Sequence, residues 1–249
     1  LVLSLNAGAQ TLAVPASGAF TFPTGLANAA TYAVTVGTQP SSPTQTCTVS
    51  NGSGTIAGAN VTNVAVSCTT NTYTVGGTVS GLAGTGFTLV LGAQTLPVGA
   101  NGSFTFATAL ASGASYAVTV GTQPSSPTQT CTVSNGSGTI ASANVTNVTV
   151  SCTTNTYTVG GTVSGLVGNS VTLSLNSGAQ TQVVAANGTF AFPTALASGA
   201  AYAVTVSVQP TSPTEVCTIT NGSGTVAGAN VTTIVVSCID RIFADGFEG

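Results

Sequence analysis

The sequence predicts an all-β protein built from three tandem antiparallel β-sandwich modules of Ig-like or transthyretin-like type, the first without its opening strand. Three observations carry this. One motif recurs along the chain: "CTVSNGSGTI" at 47–56 and at 131–140, then "CTITNGSGTV" at 217–226. Its first cysteines are 84 and then 86 residues apart, far above the 20–50-residue period of a solenoid, so each copy should fold by itself. The apolar residues alternate with period 2, and no segment holds a 3.6 period long enough for a helix. The predicted divisions are 1–68, 69–152 and 153–238, followed by a tail at 239–249.

The second copy shows the elements most fully. "YTVGGTV" (73–79) puts Tyr73, Val75 and Val79 on one face. "FTLVL" alternates Phe87, Leu89 and Leu91. "SFTF" points Phe104 and Phe106 the same way, and "YAVTV" does so for Tyr116, Val118 and Val120. "ANGSF" (100–104) and "SNGSG" (134–138) carry Asn-Gly pairs, which predict type I′ hairpins. "QPSSP" (123–127) interrupts the strands, because proline removes a ladder donor. The third copy is two residues longer, in "LSLNSGAQ" (173–180) against "LVLGAQ" (89–94). The first copy has no counterpart of "YTVGGTVSGLAGTG" (73–86). Leu1 falls mid-pattern with no initiator Met, so a fragment or processed product is expected. The boundary phrase "CTTNTYTVGG" leaves four residues between each second cysteine and the next Tyr, a joint that bends without free tumbling.

Composition narrows the functions. The chain has 249 residues with 2% charged, one basic residue (Arg241), and no Lys, His, Trp or Met. Nucleic-acid binding needs a basic footprint, so none is expected, and an anionic membrane surface is excluded on the same ground. No run approaches the ~18 apolar residues of a spanning helix. Hydrophobic content is 43% in regular alternation, which argues against disorder.

Six cysteines lie in three pairs, each 21 residues apart. Cys131 alternates with Val133, and Cys152 with Val150 and Val148, so both thiols face the apolar side. The pairing expected is Cys47–Cys68, Cys131–Cys152 and Cys217–Cys238. Zinc is disfavoured, because there is no CxxC and no His. A loop of that size stabilises a small module by roughly 3 kcal/mol. Disulfides imply an oxidising compartment, extracellular or periplasmic.

Reactive chemistry is sparse. With no His and no Lys, the usual bases for a Ser or Cys nucleophile are missing. A glycosidase needs two carboxylates on a rigid frame. Residues 1–239 offer only Glu215, standing where the other copies have Gln45 and Gln129, and that exchange reads as a solvated surface position. No calcium loop surrounds Asp240, Asp245 and Glu248. No catalytic residue, cofactor or metal ligand is therefore predicted. The N-x-S/T triplets headed by Asn51, Asn60, Asn101, Asn135, Asn144, Asn147, Asn187, Asn221 and Asn230 read mainly as turn chemistry in a Thr-rich chain.

The skeleton "VGGTVSGL…FTLVL…ANGSFTF…LASGASYAVTV" resembles the carboxypeptidase-regulatory-like and collagen-adhesin B-type families. The resemblance covers about 50 residues of each copy. It implies transthyretin-like sandwiches of the kind used as stalk and spacer domains on bacterial surfaces. Many such adhesin modules carry a Lys–Asn isopeptide crosslink; without lysine this chain cannot, and its cysteine pairs take the stapling role. "DRIFADGFEG" (240–249) resembles the IFxDGFE tails of secreted gammaproteobacterial proteins, which implies a secreted bacterial product. The function expected is that of an extracellular or cell-surface spacer, stalk, adhesion or matrix scaffold. One alternative is a glycan- or surface-binding module, which exposed Tyr in a shared groove would favour. Another is self-assembly by strand addition at the sheet edge of the first copy.

Overall fold

The computed structural model describes residues 1–241 and is built of strands throughout. Module 2 shows the complete plan. Its first sheet runs Gly102–Thr105, Val75–Ser80, Val145–Thr154, Gln129–Ser134, and its second Gln94–Pro97, Thr88–Leu91, Ser115–Thr122, Ser137–Thr139. A two-residue ribbon joins Thr72–Tyr73 to Leu110–Ala111. Module 3 repeats both sheets, with Val159–Ser164 as opening strand and Val231–Asp240 as closing strand. The expected sandwich modules are therefore present, and the predicted inward residues line their cores: Phe87, Leu89, Leu91, Phe106 and Val118 are buried. The paired phenylalanines meet edge to face, with Phe104 and Phe106 ring centroids 6.1 Å apart.

One pairing in each full sandwich is parallel. The opening strand runs alongside the closing strand in the same direction, with Gly77 opposite Val148 and Val79 opposite Val150. The chain thus enters a module at one pole and leaves at the other. The "VGG" of the opening strand is explained here. A Cβ on Gly77 would lie 1.7 Å from the Val148 carbonyl oxygen, and one on Gly76 2.4 Å from that of Phe104. The corresponding distances at Gly161 and Gly160 are 1.9 and 2.2 Å. Glycine weakens a strand by itself, but here it admits two neighbouring backbones at once.

The Asn-Gly pairs are not type I′ hairpins. Asn135 has φ 55°, but Gly136 lacks the positive φ that the turn requires. The segment passes from Gln129–Ser134 in the first sheet to Ser137–Thr139 in the second, so it is a crossing between layers. Gly136 is needed for closeness, since a Cβ there would sit 2.7 Å from the Val118 carbonyl oxygen. Asn101–Gly102 likewise crosses between sheets, and the Asn101 amide makes both of its bonds to the Leu82 backbone, at 2.7 and 2.9 Å. The dipeptide signal was read as local when tertiary contacts set it. The tight hairpin of module 2 is Gly92–Ala93 instead, between Thr88–Leu91 and Gln94–Pro97. The two-residue insertion of copy three enlarges this same turn to Asn176–Ala179, as copy one does at Asn6–Ala9.

Module 1 keeps its second sheet, in the order Gln10–Ala13, Val2–Leu5, Thr31–Thr38, Ser53–Thr55. Its first sheet is reduced to Gln45–Ser50 paired with Ala65–Thr70. Residues 18–22, which match the strand around Phe104, form no strand. Phe20, Phe22, Val64 and Val66 are only half-buried, whereas Phe106, Val148 and Val150 are at most 1% exposed. The fully buried core of this module shrinks to Leu3, Leu5 and Val34.

Gly77→Ala forces the opening strand away from Val148 and should destabilise module 2 by about 3 kcal/mol. Gly99→Ala, where a Cβ meets nothing within 4 Å, should leave it within about 0.5 kcal/mol. Denaturant unfolding of the full chain, followed by a probe in module 2, measures both.

Candidate functional site

Among the described residues, the side chains that meet most specifically lie at the two joints between modules. The closing strand of module 1 runs to Thr70, and the ribbon of module 2 starts at Thr72, so Asn71 alone separates them. The loop at 40–44, with its cis Ser42–Pro43 bond, turns the Thr44 backbone toward module 2. The Thr44 N–H donates to Ser112 Oγ at 2.9 Å, and the Thr44 and Tyr73 hydroxyls meet at 3.1 Å. Thr44 O accepts from Asn71 N–H at 3.0 Å, and Asn71 O accepts from Ser112 N–H at 2.8 Å. Ser112 Oγ also donates to Ala141 O at 2.7 Å, which fixes its rotamer.

The second joint repeats this geometry. Thr128 N–H reaches Ser198 Oγ at 3.0 Å, and the Thr128 and Tyr157 hydroxyls lie 3.1 Å apart. Asn155 N–H donates to Thr128 O at 3.0 Å. Small residues let the two surfaces close: a Cβ on Gly113 would stand 3.6 Å from Pro43 Cβ, and one on Gly199 3.5 Å from Pro127 Cβ. Ser112 and Ser198 are each 7% exposed, so these bonds are largely shielded from water. Neutral hydroxyls and peptide groups do here what ion pairs do at many interfaces, and salt screens such bonds little.

The three disulfides pair as predicted: Cys47–Cys68, Cys131–Cys152 and Cys217–Cys238. Each joins directly opposed residues of adjacent strands, with Cα atoms 4.0, 4.0 and 3.9 Å apart. The Cys131 backbone is occupied on its outer side. Gln123 Nε2 donates to Cys131 O at 3.0 Å, and Cys131 N–H donates to Gln123 Oε1 at 2.7 Å. Gln39 and Gln209 hold Cys47 and Cys217 in the same way. These residues make the pairs non-hydrogen-bonded, the closer of the two antiparallel arrangements. The amides also cap the backbone of an edge strand. Sequence reading passed over both devices, although a Gln eight residues before each first cysteine was visible.

The surface assignment of Glu215 is corrected. Glu215 and its counterpart Gln129 are each 2% exposed. Gln129 Oε1 accepts from Ala83 and Gly84 N–H, both at 2.8 Å, and its Nε2 donates to Gly81 O and Thr154 Oγ1. Glu215 accepts from Val167 N–H at 3.0 Å and Gly168 N–H at 2.8 Å. The position requires a buried acceptor for the loop after the opening strand, which an amide or a carboxylate oxygen supplies, while the amide alone also donates. Asp240 stands opposite Glu215 across the strand pair, where module 2 has Thr154.

Several Asn residues of the N-x-S/T triplets have structural partners. Asn144 and Asn230 accept from Thr74 and Thr158 N–H, and Asn187 bonds twice to Leu166. None of the five tyrosines is exposed. Tyr73 and Tyr157 sit in the joints. Tyr32, Tyr116 and Tyr202 lie over Gly54, Gly138 and Gly224, where a Cβ would come within 2.8–2.9 Å of the phenol oxygen. Among the described residues no three His, Cys, Asp or Glu side chains form a metal-holding group, and no helix is long and apolar enough to cross a membrane. Asp245 and Glu248, with the rest of the "IFADGFE" segment, lie outside the described residues.

No protein-family model matches the chain, and no curated protein matches it. Among solved structures it is similar to the Bacillus anthracis TIE protein, at 8% identity and a TM-score of 0.50. The likeness covers 96% of this chain and 49% of that one, so the chain spans about half its length. At that identity the similarity is one of fold, and it agrees with the tandem-sandwich architecture.

Glu215→Gln should change the stability of module 3 by less than about 1 kcal/mol, because Gln129 already serves in module 2. Glu215→Ala removes the acceptor of the Val167 and Gly168 N–H groups and should cost about 2 kcal/mol. Urea unfolding of module 3 distinguishes the two.

Proposed function

We propose that the chain is a non-catalytic extracellular spacer or stalk, a bacterial scaffold whose work is to hold its ends apart. The observation that carries this reading is the duplicated joint. Two successive module contacts use the same Thr, Tyr, Ser and Asn in the same geometry. A joint of random orientation would have no need to repeat. The parallel opening and closing strands support it further, because poles used for entrance and exit lie at opposite ends of a module. Disulfides in every module suit an oxidising exterior. The resemblance to surface stalk families and to secreted gammaproteobacterial tails points the same way. The alternative of a glycan- or surface-binding module draws less support, since none of the five tyrosines is exposed.

A closing strand of 10 residues at ~3.3 Å per residue makes a module ~33 Å long. Three in line give a rod of ~100 Å. Small-angle scattering of the full chain should return that maximum dimension with a rod-like cross-section, unchanged between low and high salt. A double Thr44→Val, Thr128→Val variant should broaden the distance distribution. A compact particle, or a wild-type distribution as broad as the variant's, would rule out the stalk.

A further inference from the structure

A pull along the chain enters module 2 at Asn71 and passes through Thr72–Tyr73 into the opening strand Val75–Ser80. It leaves through the closing strand Val145–Thr154. These two strands are parallel neighbours, from Val75 opposite Val145 to Ser80 opposite Ser151. The pull therefore acts on the N-terminal end of one and the C-terminal end of the other. In a parallel pair those ends lie far apart, so tension slides one strand along the other. The backbone bonds between them then carry the load together, whereas a pull at adjacent ends would open them one at a time. Side chains close the pair at both ends. Thr74 N–H donates to Asn144 Oδ1 at 2.9 Å, and Val145 N–H donates to Thr74 O at 2.9 Å. Ser80 Oγ donates to Val150 O at 3.3 Å. In module 3 Thr158 N–H donates to Asn230 Oδ1 at 3.0 Å, and Val231 N–H to Thr158 O at 2.9 Å. The glycines oppose sliding as well. Movement of the opening strand toward the entrance would bring Thr78, then Val79, to the place of Gly77, where a Cβ lies 1.7 Å from the Val148 oxygen. The same place in module 3, at Gly161, gives 1.9 Å from the Ile234 oxygen.

We propose that the opening and closing strands of modules 2 and 3 form a shear lock, which resists tension along the chain and yields in one limited step. Asn144 and Asn230 fasten the lock at its entrance end. The disulfide sets how far it yields. Cys152 lies near the exit end of the closing strand and is bonded to Cys131, 21 residues before it. Tension at Thr154 thus reaches the closing strand and its antiparallel neighbour together. Once the lock slips, the loop between the two cysteines stays shut. Rupture then frees roughly 60 residues of a module, ~20 nm of chain after the folded length is subtracted. Bonds of the second sheet lie off this path. Gln94 holds Thr108 through two of them, Nε2 to Thr108 O at 3.1 Å and Thr108 N–H to Oε1 at 2.9 Å. They remain formed while the lock slips, so they contribute to stability at rest and little to resistance under load. The use of such a lock rests on the stalk reading, because a stalk transmits tension from end to end. The two fail separately: a compact particle in scattering removes the stalk, and the force measurement below decides the lock.

The test is a single-molecule force clamp on the full oxidised chain, held by its two ends, with the lifetimes of the two ~20 nm steps recorded at fixed force. Asn144→Ala with Asn230→Ala should shorten those lifetimes about tenfold. Asn144→Asp with Asn230→Asp keeps the acceptor oxygens and should leave them within about twofold of wild type. Gln94→Ala with Gln180→Ala removes two bonds per module, to Thr108 and Thr194. It should lower the urea midpoint at least as far as the Asn→Ala pair, yet leave the lifetimes within about twofold. Reduction of the disulfides should lengthen each step by ~7 nm. Unchanged lifetimes in the Asn→Ala chain would overturn the proposal. Equal shortening in the Gln→Ala chain would do the same, because resistance would then follow overall stability and not the strand pair. So would oxidised steps already at the reduced length.

Discussion

Each complete module is organised around the contact between two backbones at its centre. Gly77 and Gly161 bring the opening strand so near the closing strand that no side chain fits between them. That approach fixes the parallel pairing, and the parallel pairing places the chain's entrance and exit at opposite poles. It also seats the two valines of the strand against the phenylalanines and the closing-strand valines. Module 1 serves as the internal comparison. With the same flanking sequences and no strand between them, its phenylalanines and valines are left half-buried and the 18–22 segment loses its pairing. The cysteine pair survives there, since Cys47 and Cys68 lie on neighbouring strands outside the lane.

A chain with 2% charged residues must satisfy its buried polar groups with neutral partners. Glutamine carries much of that load: one set clamps the cysteine backbones, and Gln129 feeds the loop after the opening strand. Among the described residues no buried side-chain nitrogen or oxygen lacks a partner. Neutral bonds of this kind contribute about 1 kcal/mol each, so each joint is held by several together. Salt weakens such neutral bonds little.

Much of this was legible in the sequence because it depends on local alternation. The inward positions of Phe87, Leu89 and Leu91 follow from period 2, and the disulfide pairing from spacing repeated in every copy. What was misread depends on distant parts of the chain. Asn135–Gly136 carries a strong hairpin signal, yet the two strands it links belong to different sheets. Glu215 looked solvated because Gln replaces it elsewhere; the requirement is an acceptor for Val167 and Gly168, which the residue types alone do not reveal. The joints were foreseen as short but not as specific, since Thr44 and Ser112 meet across 68 residues.

Native-state hydrogen exchange on the full oxidised chain tests the central role of the glycine-lined strand most directly. The comparison is between the wild type and Gly77→Ala, with module 3 as the internal reference. In the wild type, amides at 148–151 and 234–237 should be protected to nearly the global limit, and in the variant those at 148–151 should exchange faster by about two orders of magnitude while those at 234–237 keep their rates. Unchanged protection at 148–151 in the variant would contradict the account, because the closing strand would then hold without its close parallel neighbour.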